Sequence, residues 1–211
     1  NDKTDTTSAT EFTNPNGTRI ENTEKNTDDS DLESPDNSAN TLSDKDIKEL
    51  FVAANEVYVG WLCSSANIEA NWDNIISLDD SGYYYSEVTS CKFSSVQEIE
   101  KELQRYFSEE AYKNELNSMY KMKDGKLYAN YNLCEGGDTV SYGEKLVVVS
   151  KTPSRCEFSI APIYEDGENL VYDYESSIIN TIELIDGQWK FCGKFHYSYT
   201  VFWKEIVNWV D

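Results

Sequence analysis

Three Asp-Gly dipeptides constrain this 211-residue chain more than any other feature: Asp124-Gly125, Asp166-Gly167 and Asp186-Gly187. Each lies between runs in which apolar and polar residues alternate. An Asp-Gly pair tolerates the positive φ angles that a two-residue hairpin turn requires. From Met119 onward the sequence therefore predicts antiparallel strands, near residues 119–122, 127–133, 144–151, 155–164, 169–184 and 188–197. In the last of these, Trp189, Phe191 and Phe195 share one face, and Lys190, Cys192, Lys194 and His196 the other.

The preceding segment has a different period. Ile47, Leu50, Phe51, Ala54, Val57, Tyr58 and Trp61 recur at spacings of three and four, which predicts a helix over residues 43–62 with one apolar stripe. Ser43 and Asp46 form its capping box, with Asp in the place of Glu. Ile68, Trp72, Ile75 and Ile76 suggest a second short helix. Tyr83 to Val88 reads as a strand because of its tyrosines. Ser94 with Gln97 opens another helix, which carries Val96, Ile99, Leu103 and Phe107. Ser108, followed by Glu109 and Glu110, opens a shorter one. The aromatic tail, Thr200 to Asp211, leaves helix and strand both open. Helices followed by an antiparallel sheet make an α+β domain. A long helix across a strongly curved sheet resembles the cystatin-like or NTF2-like cone.

Residues 1–42 differ again. They hold ten acidic and three basic residues, one aromatic residue (Phe12) and little aliphatic content. Such a segment cannot bury enough apolar surface to offset its ordering entropy, so it reads as a disordered acidic tether. Residues 43–211 form the expected single domain. The formal charge of the chain is −21, which argues against nucleic acid or anionic lipid as a partner. No run of about 20 apolar residues crosses a membrane. A first residue other than Met and a polar tether are expected of an exported protein after signal-peptide removal.

Five cysteines, Cys63, Cys91, Cys134, Cys156 and Cys192, are too widely spaced for a zinc site, and no CxxC occurs. At most two disulfides can form, and sequence does not assign them. The single histidine, His196, lies four residues from Cys192. On one extended strand that spacing is about 13 Å, too far for a thiolate–imidazole pair. Asp28-Asp29-Ser30-Asp31 lacks the loop that would order calcium ligands. Tyr83-Tyr84-Tyr85 with Trp72 offers a sugar-stacking platform, but adjacent strand residues face opposite ways, so two of the three tyrosines at most act together. No catalytic residue, metal or cofactor is assigned.

One segment remains distinctive. The strand ending near Leu133 runs into Glu135-Gly136-Gly137-Asp138. Two glycines give a narrow profile and free backbone angles, and two carboxylates give it negative charge. The segment reads either as a tip that enters a cleft built for an acidic peptide or as a plain connection. The residues also leave open a cone that binds a small ligand or performs acid/base chemistry, and a tethered surface module in which the tip enters no cleft.

The order of pieces is a Tyr-rich strand, SSVQEIEKELQRYFSEEAYKNEL, KDGKLYANY, the glycine-acid segment, VVVSKTPSRCEFSIAPIY and ELIDGQWKFCGKF. From about Ser43 to Phe195 this resembles the IseA-type inhibitors of bacterial D,L-endopeptidases, which are secreted or lipid-anchored proteins of Gram-positive bacteria. The resemblance implies an inhibitor and not an enzyme. It implies a partner among the NlpC-type cysteine peptidases of the cell wall, with Glu135, Gly136, Gly137 and Asp138 as the contact residues. It also implies a monomer on the cell surface, with a lipid anchor upstream of Asn1.

Overall fold

The computed structural model describes residues 41–135, 141–166, 169–172, 178–203 and 209. The described residues fall within one compact unit, Asn37–Asp211. Nearly all of the expected 1–42 tether lies outside them.

Helix α1 spans Asp44–Tyr58 and continues as a π-helical turn, Val59–Cys63. Its start follows from chemistry legible in the sequence. The Ser43 hydroxyl accepts from the Asp46 amide at 3.1 Å, and the Asp46 carboxylate accepts from the Ser43 amide at 2.9 Å. Two amides that the helix leaves without partners are thereby satisfied. The buried face carries Ile47, Phe51, Ala54 and Tyr58, as the stripe predicts, and also Asn55.

The expected helix around Ile68–Ile76 is instead strand β1 (Ile68–Ser77), antiparallel to β2 (Tyr84–Cys91). Register shifts between Glu69 and Ala70 and between Ala70 and Ile75 break its alternation. A bulged strand loses its period of two, so its apolar residues imitate helical spacing. Helix α2 spans Val96–Leu103. Its cap is one residue later than predicted: Ser95 accepts from Glu98, while the Ser94 amide and hydroxyl donate to the Glu98 carboxylate at 2.7 and 2.9 Å. Beyond Ser108 a 3-10 turn, Glu109–Ala111, leads into α3 (Lys113–Met119).

The expected α+β class holds, and its strands are shared between two antiparallel sheets. Strands β3 (Tyr120–Lys123) and β4 (Lys126–Asn130) complete a four-stranded sheet in the order β1-β2-β4-β3. The second sheet contains β5 (Gly143–Lys151), β6 (Arg155–Asp166), β8 (Ile178–Ile185) and β9 (Gln188–Cys192) in that order, and β7 (Asn169–Tyr172) also pairs with β6. Asp124 and Gly125 have φ of 52° and 77°, and Asp186 and Gly187 have 51° and 77°. These are the left-handed angles that a two-residue hairpin needs. The pairs Lys123–Lys126 and Ile185–Gln188 close two hairpins around the predicted dipeptides, whereas the Asp166–Asn169 pair puts Asp166 in the β6–β7 ladder and not in the turn. The strand expected over 188–197 ends at Cys192, because Gly193 turns the chain with φ 67°. In the tail, Tyr199–Trp203 forms α4, and Trp209 makes a parallel bridge to Glu144.

One core serves both sheets. Phe51 packs against Phe158 of β6 with ring centroids 5.9 Å apart, against Phe191 of β9 at 6.4 Å and against Phe195 at 5.8 Å. Phe107 joins the group, 5.7 Å from Phe191 and 5.0 Å from Phe195. Leu127, Ala129 and Leu133 belong to the same apolar cluster. The outer edge of β9 is paired as well. Phe191 donates its amide to the Tyr106 carbonyl at 2.8 Å, and Ser108 donates to the Phe191 carbonyl at 2.9 Å. An edge strand covered in this way offers no template for another chain.

Two expectations follow. Phe51→Ala removes a fully buried ring and should lower the unfolding free energy by about 3–5 kcal/mol in urea titration. The caps set an acid limit. Hydrogen bonds from Ser43 hold the Asp46 carboxyl below its ordinary 3.8, and those from Ser94 hold Glu98 below its ordinary 4.5. A lowered folded-state value stabilises above the unfolded value, and that stability disappears as pH falls through the folded one. The melting temperature should therefore fall on acidification below the ordinary carboxylate range. The fall should be smaller for Asp46→Asn with Glu98→Gln, whose melting temperature at pH 7 starts lower.

Candidate functional site

The glycine-acid segment leaves one sheet and enters the other. Its upstream root follows β4. Asn130 is buried, donates from Nδ2 to the Ser118 carbonyl at 3.0 Å and accepts the Asn132 amide at 3.0 Å. A 3-10 turn then covers Tyr131–Glu135. Within it Leu133 is 1% exposed, and the Tyr131 ring meets the edge of Trp72 with centroids 6.3 Å apart. The predicted contact residue Glu135 is thus placed at the end of that turn. Gly136, Gly137 and Asp138 lie outside the described residues.

The downstream root is held by hydroxyls. Ser141 is 3% exposed; its amide donates to Thr200 Oγ1 at 2.8 Å, and its own hydroxyl donates to the Gly143 carbonyl at 2.7 Å. Tyr142 donates its amide to the Ile163 carbonyl at 2.7 Å, where β5 begins its pairing with β6. Glu144, 2% exposed, accepts from the Ser198 hydroxyl at 2.6 Å and from the Ser141 hydroxyl at 3.3 Å.

The strap that receives these bonds, residues 194–200, is itself clamped twice by buried asparagines. Asn180 of β8 accepts the His196 amide at 2.9 Å and donates to the His196 carbonyl at 3.1 Å. Asn55 of α1 accepts the Ser198 amide at 2.7 Å and donates to the Ser198 carbonyl at 2.9 Å. A peptide unit that leaves a sheet needs such replacement partners, because an unpaired buried backbone group is costly. Sequence reasoning did not find Asn55, Asn180, Ser141, Glu144 or Thr200. The one available signal was a polar amide beside Ala54 on the apolar side of the helix.

The residues considered for catalysis are set apart by their surroundings. Burial pushes the Cys63 thiol up to about 12, and burial also raises Cys156 and Cys192. These are protonated thiols at neutral pH, the reverse of an activated nucleophile. Cys192 Sγ donates to the Lys190 carbonyl at 3.6 Å. Cys63, Cys91, Cys156 and Cys192 are all free. Burial, followed by the nearby Lys194 charge, lowers the His196 value, so its ring is neutral at neutral pH. Among the described residues no three His, Cys, Asp or Glu side chains are grouped to hold a metal. Among them, too, no helix is long and apolar enough to cross a membrane. Tyr83 and Tyr84 are 41% and 55% exposed, whereas Tyr85 is fully buried with its hydroxyl on the Ser118 carbonyl at 3.1 Å. At most two tyrosines of that triplet therefore face solvent.

Fold and site together define a small α+β scaffold that carries an acidic glycine segment in the connection between its two sheets, with both roots buried and hydrogen-bonded. The chain belongs to the IseA DL-endopeptidase inhibitor family, which it matches over residues 38–191. That match takes in both sheets up to Phe191, the glycine-acid segment and both of its roots. No curated protein matches the chain.

The clamps give a direct test. Asn55→Ala strands the amide and carbonyl of Ser198 and should cost about 3 kcal/mol of unfolding free energy, measured by urea titration.

Proposed function

We propose that this protein inhibits cell-wall D,L-endopeptidases of the NlpC cysteine-peptidase type by inserting the segment Glu135-Gly136-Gly137-Asp138 into the peptidase cleft. Family membership supports the class of target. The observation that supports the loop assignment is the anchoring of the two roots. Leu133 and Ser141 are 1% and 3% exposed, and their neighbours are tied to buried backbone and side-chain partners. A binding segment held at both ends by a rigid frame pays less ordering entropy when it docks.

The chemistry of the target fits the charge of the segment. A peptidase that cuts beside a D-glutamyl residue accepts a substrate with carboxylates. Glu135 and Asp138 carry the same charge, and two glycines between them keep the profile narrow enough for a substrate groove. The overall charge of −21 adds long-range attraction to a basic cleft. On this reading the protein is a monomer at the outer face of a Gram-positive cell membrane, held by a lipid anchor upstream of Asn1, with residues 1–42 as its tether.

Inhibition of purified NlpC-type endopeptidase domains tests the proposal. Asp138→Lys should raise the inhibition constant at least about tenfold, because reversed charge in a closed interface is expensive. Its melting temperature should not change. Association of the wild-type protein should slow as salt rises. Full inhibition by Asp138→Lys would remove the loop from the mechanism, and no inhibition of any such enzyme by the wild type would remove the target class.

A further inference from the structure

Beside the downstream root lies a cleft of about 420 Å³ that the inhibitory reading does not use. It opens between the strap and the second sheet. Its two sides differ in chemistry. One side is apolar, built from Ile160 and Pro162 of β6 and Ile178 of β8, with Tyr164 at the rim. Ile178 is 47% exposed and Tyr164 39%, so these groups face the opening and not the core. The other side is polar and contains the buried Glu144 carboxylate, with Lys194 and His196 along the strap.

An acidic and a basic side chain thus line one small space. The Glu144 carboxylate is oriented by the Ser198 and Ser141 hydroxyls. A carboxylate fixed in a protected site is suited to an ammonium group, and it gains strength from the low local dielectric. Lys194 is exposed and makes no ion pair among the described residues, so its ammonium is available to an anion. The peptide unit at His196 is locked by Asn180, which fixes the strap on which Lys194 lies.

We infer that this cleft binds a short zwitterionic peptide, with its amino group on Glu144, its carboxylate on Lys194 and small apolar side chains against Ile160, Pro162 and Ile178. The volume lies within the range of about 300–1,000 Å³ usual for small-molecule sites. The mixture of an apolar wall with a few polar groups that fix orientation is also characteristic of them. Lone amines leave Lys194 unused, and lone carboxylates meet Glu144. Amide hydrolysis yields one new amine and one new carboxylate, so short zwitterionic peptides are the class of molecule that a peptidase releases. That identification of the source rests on the inhibitor reading; the site itself does not.

Calorimetric titration of the full chain in the absence of any peptidase tests the inference, so its failure is separate from failure of the inhibitor reading. The probes are trialanine, N-acetyl-trialanine and trialanine amide. Trialanine should bind, and amide NMR shifts should centre on residues 194–200. Acetylation of the amine should weaken binding at least about tenfold, as should Glu144→Gln. Amidation of the carboxylate and Lys194→Ala should each weaken it severalfold and should not add. Two results overturn the inference: no binding of trialanine at millimolar concentration, or equal binding of all three peptides. The ligand series on the wild-type protein decides the matter even if Glu144→Gln fails to fold.

Discussion

The packing of Phe51 between Phe158, Phe191 and Phe195 is the contact on which the rest depends. It joins the first helix to the second sheet. Leu133, at the end of the first sheet's contribution, is buried in the same cluster. Two sheets with a shared core cannot shift independently without opening apolar surface to water. The chain that passes between them, from Glu135 to Ser141, therefore has ends fixed in space. A functional segment placed there inherits that precision from burial elsewhere.

The polar layer does a second task. The strap after Gly193 has left the β9 ladder, so its backbone groups need other partners. Asn180 and Asn55 supply them at His196 and Ser198, and Ser141, Thr200 and Glu144 extend the network to the start of β5. Side-chain amides match a peptide group donor for acceptor, which accounts for asparagine at both clamps. The same network forms the polar side of the cleft. Stability of the strap and the chemistry of that cleft thus rest on a common set of bonds.

Much of the fold was legible because its determinants are local. Ile47, Phe51, Ala54 and Tyr58 announce α1 by spacing, and Ser43 with Asp46 marks where it starts. Asp124-Gly125 and Asp186-Gly187 announce their turns because few residues accept positive φ. What failed was non-local. Strand β1 is bulged between Glu69 and Ile75, so its apolar residues lose their alternation and look helical. Gly193 ends β9 early through a backbone angle that no periodicity reveals. The division into two sheets depends on which strand pairs with which, and alternation is silent on pairing. At the candidate site the glycines and acids were visible, while the roots were not. Ser141, Thr200 and Asn180 are common residue types whose importance comes from burial, and burial is set by the tertiary fold.

The central claim is that the segment between the sheets is the part an endopeptidase holds. Hydrogen–deuterium exchange of the protein, free and bound to an NlpC-type endopeptidase domain, tests it most directly. The account predicts strong new protection confined to residues 133–142, with little change in α1 or in the β3–β4 hairpin. Protection of another surface, with residues 133–142 exchanging as in the free protein, would contradict it.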